Sequence, residues 1–206
     1  MFTGIVHGMA TVTELERKER ALKVMVELDE HTLGLMRGAS VALAGVCLTA
    51  VTINASSVTF DLMGETLNKT TLGALQLGER VNVERSARIG DEIGGHLISG
   101  HIAGVIVISA LENPVDNHVL TLTCNPSWMP YLLHKGFVAL DGCSLTIVDV
   151  GSDWFTVHLV PETLARTSFG YKQVGALVNL EIDAMTRALV DTVTTYLSQN
   201  AYHSLR

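Results

Sequence analysis

The sequence predicts an all-β chain of two tandem copies of one small, closed or nearly closed β-barrel, followed by a C-terminal amphipathic helix. Three observations predict it. Blocks of residues recur at one fixed offset, each copy is a series of short strand-like runs punctuated by Gly and Asn, and the final segment changes to a helical period.

The repeat is read from matched blocks. Ser40-Val41-Ala42-Leu43-Ala44-Gly45-Val46-Cys47-Leu48-Thr49 matches Phe137-Val138-Ala139-Leu140-Asp141-Gly142-Cys143-Ser144-Leu145-Thr146 at an offset of 97 (137 − 40). The same offset carries Glu65-Thr66-Leu67 onto Glu162-Thr163-Leu164, and Val81-Asn82-Val83-Glu84 onto Val178-Asn179-Leu180-Glu181. At an offset of 96, Phe2-Thr3-Gly4-Ile5 matches Ile98-Ser99-Gly100-His101. One long period means two copies of a domain rather than a solenoid of short units. Gly94-Gly95 interrupts the pattern, so the boundaries are set at residues 1–94, 95–183 and 184–206.

Within each copy the elements read as strands. Leu22 to Leu28 and Val119 to Thr123 alternate in part, and Val81 to Glu84 and Val178 to Glu181 alternate apolar with polar as half-buried strands do. Many short strands at near-even spacing favour closure, which removes exposed edges. The Glu-Thr-Leu blocks predict one short helix per copy. In the tail, Met185, Leu189, Val193, Tyr196 and Leu197 form one apolar stripe on a helix without a counterpart after the first copy. The stripe packs either on its own barrel or, the preferred reading, against other subunits.

Composition excludes several classes. A chain of 206 residues, 48% hydrophobic and 17% charged, can bury a sizeable core. A net charge of −7 argues against nucleic acid as the main partner. No apolar run reaches the roughly 20 residues that span a membrane. Cys47, Cys124 and Cys143 form no C-x-x-C pair, and Met1 to Val6 show no secretory pattern, which together read as reduced thiols in the cytoplasm. No phosphate loop or dinucleotide fingerprint is present. His96 and His101 stand five apart, which on an extended strand puts them on opposite faces, so joint metal ligation would need a bend.

Duplication has chemical consequences. Two copies of a binding barrel offer two similar pockets, suited to two molecules of the same kind. Matched polar positions, Thr49 with Thr146, Glu65 with Glu162 and Thr66 with Thr163, suit a polyol or a hydrogen-bonding heterocycle, although the Glu-Thr blocks also fit plain helix capping. Differing positions break the symmetry: Cys47 faces Ser144, Ala44 faces Asp141, Ser40 faces Phe137, Ile5 faces His101, and Ser86 faces Asp183. These supply candidate nucleophiles and proton-transfer groups. Each also has a plainer reading: Cys47 as an inert buried thiol, His101 as a core histidine, Ser144 as a strand or turn hydroxyl, Asp183 as the N-cap of the tail helix, and Lys135 as a solvated loop lysine.

Several motifs in combination resemble the riboflavin synthase family: Met1-Phe2-Thr3-Gly4-Ile5-Val6, Gly45-Val46-Cys47-Leu48-Thr49, Asp91-Glu92-Ile93-Gly94-Gly95-His96-Leu97, Ser99-Gly100-His101, Lys135-Gly136, Asp141-Gly142 with Ser144-Leu145-Thr146, and Val178 to Asp183. The resemblance covers essentially the whole chain. It implies two six-stranded Greek-key barrels, each lumazine-binding, and a homotrimer formed through the C-terminal helices. It implies an active site between the N-terminal barrel of one subunit and the C-terminal barrel of a neighbour. It also implies a transferase that dismutates two molecules of 6,7-dimethyl-8-ribityllumazine per site into riboflavin and 5-amino-6-ribitylamino-2,4(1H,3H)-pyrimidinedione, without cofactor or metal. Association with lumazine synthase is left open.

Carried over residue by residue, the resemblance puts Gly4, Ile5, Val6, Ser40, Cys47, Leu48, Thr49, Asp61, Leu62, Met63, Gly64, Glu65, Thr66, Gly100, His101 and Ile102 in the N-terminal pocket. It puts Lys135, Ser144, Leu145, Thr146, Thr163 and Asp183 in the C-terminal one, with Leu159, Val160, Pro161, Glu162 and Leu164 around Thr163. The lumazine 7-methyl group is acidic because the ring delocalises its anion. His101 is the first choice of base, with Ser40 beside it in role, and water, Cys47 or Ser144 is the nucleophile on the acceptor. Holding two heterocycles face to face is worth about 7–11 kcal/mol at best, more than one proton transfer, so single substitutions weaken turnover rather than abolish it. Two departures stand out: Ala44 replaces the polar residue, commonly Asn, that precedes Gly45, putting a pocket hydrogen bond in doubt, and Gly64 replaces a larger residue. The alternative is a non-catalytic lumazine or flavin antenna protein of the same fold. The presence of Lys135, Ser144, Thr163 and Asp183 argues for the enzyme.

Overall fold

A computed structural model describes residues 1–113 and 117–203, with side chains to residue 200. Twelve strands form two closed antiparallel barrels. The first contains β1 (Gly8–Arg17), β2 (Ala21–Glu27), β3 (Ser40–Leu43), β4 (Val46–Ile53), β5 (Ser57–Met63) and β6 (Arg80–Arg85), in the order β1-β2-β5-β4-β3-β6. The second contains β7 (Gly104–Glu112), β8 (His118–Thr123), β9 (Phe137–Leu140), β10 (Cys143–Val150), β11 (Trp154–Leu159) and β12 (Leu177–Ile182), in the equivalent order. The repeat extends to irregularities. β1 bulges against β2 between Val12 and Glu14, and β7 against β8 between Ile108 and Ala110; the bulged Thr13 and Ser109 each donate to a carbonyl of the neighbouring strand.

Each Glu-Thr-Leu block forms the expected short helix, α1 (Gly64–Lys69) and α2 (Pro161–Arg166). The glutamates do not cap them. Glu65 pairs with Lys69 and Glu162 with Arg166 one turn on, while Thr70 and Thr167 cap the 3₁₀ turns that follow. A β-carbon on Gly64 would meet only the Arg20 carbonyl, at 3.4 Å, so this glycine is not sterically required.

Each barrel has its own apolar core, with Phe60, Leu62 and Leu72 in the first and Phe155, Ile147 and Phe169 in the second. A smaller cluster of Phe2, Ala42, Ile98 and Ala139 lies in the seam between them. The seam corrects one expectation: Val81 to Glu84 and Val178 to Glu181 are not half-buried but buried on both faces. Their apolar residues enter the barrel, and their polar ones are covered by the other barrel. Asn82 Oδ1 accepts from the Ser168 amide and its Nδ2 donates to the Asp141 carbonyl. Reciprocally, Asn179 Oδ1 accepts from the Thr71 amide and its Nδ2 donates to the Ala44 carbonyl. This reciprocity defines a local two-fold between the barrels.

Ala44-Gly45 and Asp141-Gly142 are the two-residue turns of the β3–β4 and β9–β10 hairpins, with φ positive at all four residues. Such turns favour Asn or Asp first and Gly second. The exchange of Asn for Ala44 therefore concerns a turn in the seam, not a pocket hydrogen bond. On the second barrel's side Asp141 accepts from the Asn179 amide and pairs with Lys172 at 3.1 Å; the first barrel has Ala44 and Leu75 at these places.

The tail is α3 (Ala184–His203). Asp183 caps it, its carboxylate accepting from the Met185 and Thr186 amides. The helix touches its own barrel at the 3₁₀ helix Pro126–Tyr131, where the Tyr131 hydroxyl donates to Asp191. Its apolar stripe does not pack there: Met185 is 76% exposed and Leu189 66%. Residues 204–206 of the expected tail lie outside the described residues. Among the described residues no helix is long and apolar enough to cross a membrane.

Candidate active site

A cleft on the first barrel is finished by a strap from the other repeat, and the local two-fold repeats the strap contact at the equivalent place on the second barrel. In this cleft Cys47 on β4, Glu65, Thr66 and Lys69 on α1, Thr70 and the strap residues Gly100, His101 and Ile102 line about 300 Å³. The strap is seated by the Cys47 amide, which donates to the Gly100 carbonyl at 3.0 Å. Gly100 has φ +80, and a β-carbon there would lie 2.5 Å from that of Cys47, so only glycine fits. Cys47 is half-exposed and His101 exposed; neither is the inert core residue of the plainer reading.

On the second barrel the same contact recurs with other residues. The Ser144 amide on β10 donates to the Gly4 carbonyl at 2.9 Å, and a β-carbon on Gly4 would lie 2.5 Å from that of Ser144. Gly4, Ile5 and Val6 thus lie at the second barrel, not with Cys47 in the N-terminal pocket; Val6 is part of the second barrel's core. The offset shows that Gly4 is equivalent to Gly100, but the straps cross over.

The linker adds a group that sequence reasoning passed over as a site residue. His96 Nδ1 lies 2.6 Å from Ser144 Oγ, and its ring stacks on Phe137 at 5.0 Å and 14°. Gly95 brings it there, since a β-carbon at that position would meet the Thr3 carbonyl at 2.2 Å and Ser144 Cβ at 2.7 Å. Burial pushes the His96 imidazole below its ordinary value, with Asp183 pulling the other way. A neutral imidazole can accept the Ser144 proton, and Nε2 then carries its own hydrogen without a protein partner among the described residues. The signal was present in Gly94-Gly95-His96, but His96 aligns before Met1 and so escapes any comparison of the two copies.

Other expected residues sort by strand alternation. Cys47 and Thr49 point outward while Leu48 between them is buried, and Ser144, Leu145 and Thr146 repeat this. Leu62 and Leu159 are likewise core side chains, with Asp61, Met63 and Val160 exposed beside them. The side chains of Leu48, Leu62, Leu145 and Leu159 belong to the barrel cores, which leaves only their backbone for contact with a ligand. Ser40 pairs with Thr49 two residues along β4 from Cys47 and is not among the residues that line the Cys47 cleft. Pro161, Glu162, Thr163 and Leu164 occupy on α2 the places that Gly64 to Leu67 hold on α1. Lys135 sits on the turn before β9, where its amide donates to the Ile147 carbonyl, three residues along β10 from Ser144. It is exposed, and it is not among the residues that line the Cys47 cleft.

Burial raises the Cys124 thiol to about 11 and the Cys143 thiol to about 12, with Asp153 adding in the first case and Asp141 and Glu84 in the second. Neither is a nucleophile at neutral pH. A roomier cleft of about 430 Å³ between Thr3, Ile5, His7, Arg85 and Asp91 holds none of the expected catalytic residues. Among the described residues no three His, Cys, Asp or Glu side chains gather as a metal site.

Two closed barrels around a local two-fold, each crossed by a strap from the other, define a tandem lumazine-binding barrel protein: the Lumazine binding domain family matches residues 3–86 and again 99–183. The chain is 48% identical to riboflavin synthase of Escherichia coli (strain K12) over 200 residues, covering 96% of this chain and 94% of that one. It is 42% identical to riboflavin synthase of Chlamydia trachomatis serovar D over 196 residues, covering 95% and 96%. The chain belongs to the riboflavin synthase family. In fold it is similar to the crystal structure of LumP complexed with 6,7-dimethyl-8-(1'-D-ribityl) lumazine, with a TM-score of 0.80 at 22% identity over 88% of this chain and 99% of that one.

Proposed function

We propose that this chain is a riboflavin synthase, a transferase that moves a four-carbon unit between two molecules of 6,7-dimethyl-8-ribityllumazine to give riboflavin and 5-amino-6-ribitylamino-2,4(1H,3H)-pyrimidinedione. The observation that carries the reading is the pair of strap contacts with one geometry and different chemistry: a thiol and His101 at one, and a hydroxyl, His96 and Asp183 at the other. A reaction between two identical molecules needs like pockets that treat their occupants unlike. What one molecule loses the other gains, so no external oxidant or reductant is consumed.

His96 takes the Ser144 proton, and Ser144 or a water it orients attacks the acceptor, while His101 accepts the proton of the donor's 7-methyl group. Alignment of the two rings supplies most of the acceleration, up to about 7–11 kcal/mol. The bare stripe on α3 supports a homotrimer in which the N-terminal cleft of one subunit meets the C-terminal barrel of a neighbour. A larger assembly with lumazine synthase would form around such a trimer. The free thiols suit the reducing cytoplasm.

Mixing the purified protein with the lumazine and following absorbance tests the reading. The expected result is riboflavin at half the molar amount of lumazine consumed. Bound, fluorescent lumazine without turnover would replace the enzyme with an antenna protein.

A further inference from the structure

Two buried carboxylates are not used by the chemistry above. Glu181, on β12 of the second barrel, is 4% exposed and accepts from the Ser99 amide and hydroxyl, both at 2.7 Å, and from the Gly100 amide at 3.0 Å. Glu84, on β6 of the first, is 2% exposed and accepts from the Thr3 amide at 2.6 Å, the Thr3 hydroxyl at 2.8 Å and the Gly4 amide at 3.0 Å. Ser99 Oγ in turn accepts from the His101 amide, as Thr3 Oγ1 does from that of Ile5. Each carboxylate therefore gathers three donors on the strap of its own repeat, and that strap lies on the strand bearing Cys47 or Ser144 in the opposite barrel.

We propose that Glu181 and Glu84 are crossed positioning residues: Glu181 on the second barrel sets the Cys47–His101 cleft of the first, and Glu84 on the first sets the Ser144 strap contact of the second. Charge-assisted bonds to backbone amides are short and directional, and a carboxylate saturates both donors of a bend that glycine alone would leave loose. A strap held on the far barrel by one amide–carbonyl bond and the packing of Val6 or Ile102 needs this anchor to fix its bend within the tolerance of catalysis, since an ångström of misplacement can cost about a hundredfold in rate. The two barrels are then not independent binding modules. Neither site is complete without the carboxylate of its neighbour, which ties the duplication to the reaction.

The inference rests on the proposed function for its rates, but not for its geometry, and the test separates the two. Glu181→Gln keeps the size and one acceptor while turning an NH₂ group toward an amide donor. The expected result is a kcat lower by about 10–100-fold with a smaller change in KM, together with alkylation of Cys47 by iodoacetamide about tenfold faster or more as the Gly100 strap lifts. Glu84→Gln should lower kcat while leaving the Cys47 alkylation rate at the wild-type value. Glu181→Asp, a charged but shorter anchor, should fall between wild type and Gln. Ser99→Ala removes one donor and shows the same direction on alkylation if Glu181→Gln does not fold. Equal acceleration of Cys47 alkylation by both Gln variants, or by neither, overturns the crossed assignment. A protein without turnover whose Cys47 is still exposed by Glu181→Gln alone keeps the anchor and loses the enzyme.

Discussion

Gly45 and Gly142 meet at the centre of the seam: a β-carbon on Gly45 would lie 2.5 Å from the Gly142 nitrogen, and one on Gly142 would lie 2.9 Å from the Gly45 α-carbon. Both have φ near +80. The hairpin turns of the two barrels are thus packed backbone to backbone, which is why the reciprocal asparagine bonds can form.

Alanine at either glycine forces both a disfavoured left-handed residue and an overlap with backbone that cannot yield. Gly45→Ala or Gly142→Ala is expected to destabilise by at least about 2 kcal/mol. Urea unfolding followed by fluorescence measures this, and a midpoint within error of wild type would contradict the close approach.

Ala44 carries the same positive φ, 45°, without the side chain that favours it. Ala44→Asn should raise stability by roughly 0.5–1 kcal/mol and leave turnover unchanged, because the position lines a cleft at the seam with Asn82 and Asp141, apart from Cys47 and Ser144. Loss of turnover would return this position to the pocket.

Asn179→Asp exchanges a buried donor for a charge facing the Ala44 carbonyl, on a residue whose own amide already donates to Asp141. The expected cost is about 2–4 kcal/mol. Asn82→Asp, which faces the Asp141 carbonyl while the Asp141 carboxylate is bound to the Asn179 amide and Lys172, should cost less. Paired denaturation curves decide the order.

The Ser144–His96 contact predicts a pH dependence. Burial lowers the His96 pKa from an ordinary 6.5, so the folded chain favours neutral imidazole. That contribution to stability is complete above pH 6.5 and is lost as the pH falls through the lowered value. Activity has an acid limb in the same window, and His96→Gln should remove the limb while lowering kcat by about 10²–10⁴-fold. Asp183 holds the imidazole up, so Asp183→Asn moves the limb to lower pH while keeping the helix cap, whereas Asp183→Ala also costs about 1 kcal/mol of stability. A limb unmoved by Asp183→Asn would separate the two residues functionally.

The exposed stripe on α3 predicts the effect of a charge placed in it. Leu189→Asp is expected to convert the proposed homotrimer to single chains by sedimentation and to lower turnover, because a charge in the exposed apolar stripe opposes its burial between chains. Full activity from a monomeric variant would show that one chain suffices.

Sequence alone determined the duplication, the strand runs, the two short helices and the capped tail, because each is written in local periodicity or in a fixed offset. It also singled out Cys47, Ser144, His101 and Asp183, since they break an otherwise matched pattern. Only the tertiary structure decided which parts touch. An offset states that Gly4 is equivalent to Gly100, yet not that each strap leans on the opposite barrel, and alternation marks Asn82 and Glu84 as facing away from one core without saying that a second barrel covers them. His96 joined Ser144 for the same reason: proximity across a two-fold is a long-range relation, set by the packing of buried carboxylates, amides and glycines that no local pattern records.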